Sequence, residues 1–285
     1  MSKIIACIDG SSYADQICAA TVWASERTKA ALALLHVIDS KSNIAEPNNL
    51  SGSLGLGAKS DLLEELAEID AARGKIELKK GQLMLKHAEE ELAAQNITNP
   101  ELMHRHGSLV ETIKELEAEI SLIIMGKRGE QANYATEHLG SNLERTIRAI
   151  HKPALIIDKS FNKVSSFLLA YDGSATSKKA LAYIINNPLL KGLKCHLLKI
   201  GEQNSTNQEI MAEAEIKLTQ AGFNLTSNLI SGSNAAEVIN NYCVSNAVDL
   251  LVIGAYGHSK IRNLILGSVT TTLIKKSQIS LLLLR

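Results

Sequence analysis

Ten short apolar runs punctuate the chain, and most are hydrophobic at consecutive rather than alternate positions. In the first half they lie near 3–8, 31–38, 101–105, 121–125 and 154–157; in the second, near 166–171, 194–200, 224–229, 249–253 and 279–284. Runs such as "ALII" and "LLVI" suit strands covered on both faces, as in a parallel sheet. Segments of helical spacing separate them, and alternating strands and helices predict βαβ units in a doubly wound α/β architecture. Ligands of such sheets gather beyond the carboxyl ends of the strands.

The pattern is written twice. "KIIACIDGSSYADQICAATVWA" (3–24) matches "SFLLAYDGSATSKKALAYIINN" (166–187), each a strand-like run, then Asp-Gly-Ser, then helical spacing. The ends match too: "SLIIMGKRG" (121–129) with a following "HLGSNLERTIRAIHKPALIID" (138–158) parallels "DLLVIGAYG" (249–257) and "ILGSVTTTLIKKSQISLLLLR" (265–285). Two homologous domains are expected, at 1–160 and 161–285, with the boundary near "DKSFNKVSS". The first copy is longer, and the surplus predicts a helical insert at about 39–95. Its opening is rich in Gly, Ser and Asn and reads as a loop. From Asp61, a suitable N-cap, the positions of Leu62, Leu63, Leu66, Ile69, Ile76, Leu83 and Met84 trace an amphipathic helix, weakened at Gly74 and Gly81. That stripe would cover its own domain or offer an apolar face to a second chain.

Composition narrows the functional classes. Apolar residues make up 45% and charged residues 21%, the balance of a globular protein. Lys+Arg and Asp+Glu are 30 each, so no global field draws the chain to nucleic acid or an anionic membrane, and any anion site must be local. No apolar run reaches the roughly 18 residues that span a bilayer; the chain reads as a soluble, cytoplasmic protein. Cys7, Cys18, Cys195 and Cys243 form no C-x-x-C pair, and Cys7, Cys195 and Cys243, in apolar segments, read as small buried thiols.

The stretch "GAYGHSKIRNLILGS" (254–268) carries the local chemistry. Gly254 ends a strand where the backbone turns, Gly257 removes a side chain where a ligand can approach, and Gly267-Ser268 opens a helix whose free N–H groups favour phosphate. Ser268 and Thr270 add hydroxyls, and Lys260 and Arg262 add cations in the intervening loop. One helix end contributes only about 0.3–2 kcal/mol through its dipole, so a nucleotide needs further donors and a base pocket. In the first copy the spacing is Gly126, Gly129, then ten residues, then Gly140 and Ser141. That loop carries Glu130 and Glu137, which Lys127 and Arg128 would offset. His104 and His106 share one face of a strand without a third metal ligand in view. No Ser-His-Asp order or redox motif stands out.

These features resemble the universal stress protein family in its tandem form, whose nucleotide-binding motif G-x2-G-x9-G-[S/T] fits residues 254–268 without a gap. The resemblance implies two five-stranded parallel sheets of order 3-2-1-4-5, paired antiparallel through their last strands, "PALIID" and "ISLLLLR". It also implies ATP or AMP held between the loop after the first strand and the glycine motif. By position, Asp172 would face the adenine and ribose end, and Ile200 would offer its backbone to adenine. Gly254, Gly257, His258, Gly267, Ser268, Val269 and Thr270 would surround ribose and phosphates. Ala170 stands where many members carry proline. In the first domain Asp9, Gly126, Gly129, Gly140 and Ser141 would form a weaker or altered site.

The functional expectation is a stress-response protein whose nucleotide occupancy changes its association, as a homodimer or with an unidentified protein partner. Slow ATP hydrolysis, with Mg2+ bridging the phosphates and no metal ligand from protein side chains, is the most catalysis expected. The alternative expectation is a non-enzymatic scaffold that uses the 39–95 insert to bind a protein partner or an apolar ligand.

Overall fold

The computed structural model describes residues 2–38, 56–129, 140–254 and 267–285, with side chains described from residue 64 onward in the second of these segments. Of the residues expected at the two sites and in their loops, Gly257, His258, Lys260, Arg262, Glu130 and Glu137 lie outside the described residues.

All ten apolar runs are strands, and they form one sheet. The first half contributes β1 (Lys3–Cys7), β2 (Ala31–Ile38), β3 (Glu101–His106), β4 (Ile120–Gly126) and β5 (Ala154–Ile157). The second contributes β6 (Ser166–Ala170), β7 (Lys194–Ile200), β8 (Asn224–Ile230), β9 (Leu250–Gly254) and β10 (Ser280–Leu284). The spatial order is β3-β2-β1-β4-β5-β10-β9-β6-β7-β8, so each half shows the 3-2-1-4-5 arrangement. Every pairing is parallel except the central one, where β10 meets β5 antiparallel with Leu281 opposite Ile156 and Leu283 opposite Ala154. Two apolar edges that would otherwise be exposed templates for aggregation cover each other there. The true edges are the polar strands, "ELMHRH" in β3 and "NLTSNLI" in β8.

Helices cover both faces. Alternate strand residues feed two cores: Ile4, Leu34, Leu169 and Leu282 pack under α1 (Ala14–Thr28), α2 (Leu56–Ala94), α5 (Ala175–Asn186) and α6 (Ser205–Gln220). Ile5, Leu35, Leu168 and Leu281 pack under α3 (Leu109–Leu116), α4 (Ser141–Ala149), α7 (Ala235–Ser245) and α8 (Ser268–Lys276). Both cores run through both halves. The antiparallel junction points the carboxyl ends of the two sets of strands at opposite edges of the sheet, so the two candidate sites are far apart rather than side by side.

The helix of the insert begins at Leu56, upstream of Asp61, which therefore lies inside it rather than capping it. It passes through Gly74 and Gly81 without a break. At Gly81 a reason is visible: an added Cβ would sit 2.5 Å from His104 Nε2 and 2.6 Å from His36 Cδ2. The glycine lets α2 lie directly on the histidines of β2 and β3. His36 is the neighbour of His104 across the β2–β3 ladder, a third imidazole that sequence spacing concealed. Among the described residues no group of three His, Cys, Asp or Glu is arranged to hold a metal ion, and no helix is long and apolar enough to cross a membrane. All four cysteines are buried and unbridged, and burial pushes each thiol up to about 12.

A candidate nucleotide site at the carboxyl edge of the second domain

The loop after β6 builds the acidic side. Asp172 Oδ1 accepts the amide of Ser174 at 2.8 Å, an Asx turn. Gly173 supplies φ +81 within it, a conformation that side chains rarely tolerate. Ser174 then caps α5 by accepting the amide of Ser177 at 3.2 Å. Asp172 is exposed on the rim. Beneath it, the ammonium of Lys199, from a position inside the apolar run of β7, donates to the Asp172 carbonyl at 3.0 Å. Lys199 is buried and ties the end of β7 to the turn. Ile200 follows it at the end of β7, half-buried and opposite Ile230 of β8.

The helix expected to take phosphate is α8. Its N-cap is Gly267, which has no side chain to cap the first amides. Ser268 and Val269 are exposed at this helix end, whereas Thr270 is buried. The start of a helix carries N–H donors and a partial positive charge, and Ser268 adds an exposed hydroxyl there. Gly254 also has a packing task. A Cβ there would lie 2.8 Å from both the carbonyl carbon and oxygen of Thr176, so glycine lets the end of β9 touch the first turn of α5. In the first domain, Gly126 stands against Tyr13 in the same way, with 2.9 Å from its would-be Cβ to Tyr13 Cβ.

The first-domain residues also come together, in a tighter form. Asp9 Oδ1 accepts the Ser11 amide at 3.1 Å and the Ser11 hydroxyl at 2.5 Å. A Cβ on Gly129 would meet Asp9 Oδ2 at 3.2 Å, and one on Gly140 would meet the Gly129 amide at 3.3 Å. Gly140 caps α4 without a side-chain bond, and Ser141 is exposed at its start. Strand end, glycine turn and helix start are thus nearly in contact around Asp9.

Lys127 does not serve this loop. Its side chain is only 6% exposed, its ammonium donates to the carbonyl of Ser277 at the end of α8, and Asp158 Oδ2 is 3.8 Å away. Burial pushes its amine below the usual lysine value, and Asp158 partly restores it. Arg285, at the chain's end, reaches the other way, donating to the carbonyls of Ile150 at 2.7 Å and Arg148 at 3.2 Å at the end of α4. Each domain thus places a cation on the negative end of the other's last helix. Sequence position suggested that Lys127 would offset the acids of its loop; its ammonium lies at the domain junction. Lys199 was the converse omission, and a lysine interrupting "CHLL" was the signal that could have found it.

Comparison with known proteins supports this organisation. The model of the universal stress protein family matches twice, over residues 1–158 and 164–285. A universal stress protein of Synechocystis sp. (strain PCC 6803) is 38% identical over 288 residues, covering the whole of both chains. Among solved structures, a universal stress protein from Archaeoglobus fulgidus superposes with a TM-score of 0.67 at 18% identity, covering 100% of this chain and 99% of its own. A functionally unknown protein from Pseudomonas aeruginosa gives 0.63 at 16% identity, covering 100% and 92%. With two family matches laid end to end on one continuous sheet, the chain belongs to the universal stress protein family.

Proposed function

We propose that this stress protein binds ATP or AMP in its second domain and works through nucleotide-dependent association in the cytoplasm rather than through efficient catalysis. The observation that carries this reading is the start of α8, where a glycine N-cap without a side chain and the exposed Ser268 lie at the same sheet edge as Asp172. The amides and hydroxyls of Ser268 and Thr270 would take phosphates, Asp172 the ribose end, and the backbone at Ile200 the adenine. Val269, 41% exposed, would cover an apolar face of the nucleotide. Mg2+ would enter on the phosphates, with no protein side chain assigned to it. The tighter grouping of Asp9, Gly129 and Gly140 supports weaker binding in the first domain.

Ser268→Glu tests the reading without harming the fold, because a carboxylate in the first turn favours a helix while repelling phosphate. Titration calorimetry with Mg-ATP should show at least a tenfold loss of affinity, about 1.4 kcal/mol, and Asp172→Ala a smaller loss. Unchanged affinity in Ser268→Glu, or no binding by the wild type, would overturn the assignment.

A further inference from the structure

Helix α2 has 39 residues, about 58 Å at 1.5 Å per residue, and among its described side chains only those of the final third are anchored. Gly81, Leu85, Ala88 and Leu92 are buried against the sheet, whereas every described side chain from 64 to 80 is exposed or only partly covered. In proteins most helical stability comes from packing of an amphipathic face rather than from propensity, so an unpacked stretch of this length points to a contact beyond its own domain. Its outward face is not polar: Leu66, Ile69, Ile76 and Leu83 are 46%, 42%, 63% and 57% exposed. The last three recur every seven residues, filling one of the two seam positions of a helix packed on another helix.

The arm's charge is divided. Residues 64–70 hold Glu64, Glu65, Glu68 and Asp70 with no cation, while residues 73–86 hold Arg73, Lys75, Lys79, Lys80 and Lys86 against Glu77 alone. In the basic part, Ile76, Leu83 and Met84 floor a shallow hollow rimmed by Lys75, Lys79 and Lys80. An apolar hollow with a basic rim fits an acidic amphipathic helix, and the 64–70 segment, with Leu66 and Ile69 among four carboxylates, is one. The same arm cannot fill its own hollow, because Leu66 and Leu83 are 17 positions apart on one helix, about 25 Å.

We propose that α2 is a dimerisation arm that pairs antiparallel with the α2 of a second copy of this chain. With Leu66 of one copy opposite Leu83 of the other, Ile69 and Ile76 lie between them. The acidic segment of each copy then covers Lys79, Lys80 and Lys86 of its partner. The contact is isologous, as two-fold dimers require, and it is made twice by the symmetry. It does not depend on nucleotide binding.

Charge reversal on the full chain tests the pairing. One variant carries Glu64→Lys, Glu65→Lys and Glu68→Lys; the other carries Lys75→Glu, Lys79→Glu and Lys80→Glu. Sedimentation equilibrium should find the wild type at twice the 30.8 kDa chain mass and each variant alone at the chain mass. The apparent dissociation constant of either variant should rise at least tenfold. Mixing the two variants should restore the dimer, since each altered segment then meets an altered partner, and that recovery also shows that both remain folded. A monomeric wild type, a variant that dimerises as the wild type does, or a mixture that stays monomeric would each overturn the proposal, whatever the outcome of the ATP titration.

Discussion

Replacing Gly254 with alanine asks whether the glycine at the end of β9 is there for the ligand or for the fold. The new Cβ would stand 2.8 Å from the carbonyl carbon and oxygen of Thr176 and 2.9 Å from the Ser177 amide nitrogen. Ordinary contacts lie at about 3.5–4.0 Å, and all three neighbours are main chain in the first turn of α5, so no side chain can swing aside. The strand end and helix must part by several tenths of an ångström. Overpacking of this kind costs about 1–3 kcal/mol. At roughly 2–4 °C per kcal/mol for a protein of this size class, melting should fall by about 2–12 °C. Gly126→Ala should also destabilise, though with one contact under 3.0 Å rather than three: its Cβ would meet Tyr13 Cβ at 2.9 Å, Tyr13 Cγ at 3.2 Å and the Arg128 carbonyl at 3.3 Å. Gly74→Ala serves as the control: its Cβ meets nothing within 4 Å, and in a helix interior the change gains up to about 1 kcal/mol. Calorimetric melting would order the three variants. A Gly254→Ala protein that melts with the wild type would refute the close-approach argument.

Two further changes probe other joints of the fold. Asp249 accepts the amides of Ser165 and Ser166, both at 2.9 Å, and their hydroxyls at 2.6 and 3.1 Å. Burial alone would raise its carboxyl, but these hydrogen bonds outweigh it and hold the group below its ordinary 3.8. A depressed carboxyl contributes stability above its unfolded value that is lost as pH falls through the native one. Asp249→Asn should therefore cost about 1–3 kcal/mol at pH 7, with urea midpoints converging on the wild type below pH 3.8; a gap that widens in acid would refute this. Lys127→Met should destabilise by about 1–3 kcal/mol, since it leaves the Ser277 carbonyl without its donor and removes the cation 3.8 Å from the partly buried Asp158. Urea unfolding of the variant should also become less cooperative between the halves, and an unchanged midpoint would dismiss the Lys127–Ser277 tie.

Much of this molecule was legible along the chain. Consecutive apolar positions mark strands covered on both faces, and the eight inner strands are too hydrophobic to leave a face in water, while the more polar β3 and β8 take the edges. The doubled Asp-Gly-Ser and glycine motifs placed two similar turns at carboxyl ends of strands, since a backbone with those residues folds the same way in either copy. What each motif residue touches was decided by tertiary structure. Gly254 answers to the backbone of Thr176, Gly81 to the rings of His36 and His104, and Lys127 to a carbonyl of the other domain. Those partners lie tens to more than a hundred positions away, and local pattern carries no record of them. The insert shows the same division. Periodicity announced an amphipathic helix, but the anchoring of Leu85, Ala88 and Leu92 and the exposure of Leu66, Ile69 and Ile76 depend on where the sheet ends beneath it. Local sequence determines which surfaces are apolar; the geometry of the assembled sheet determines which of them are left uncovered.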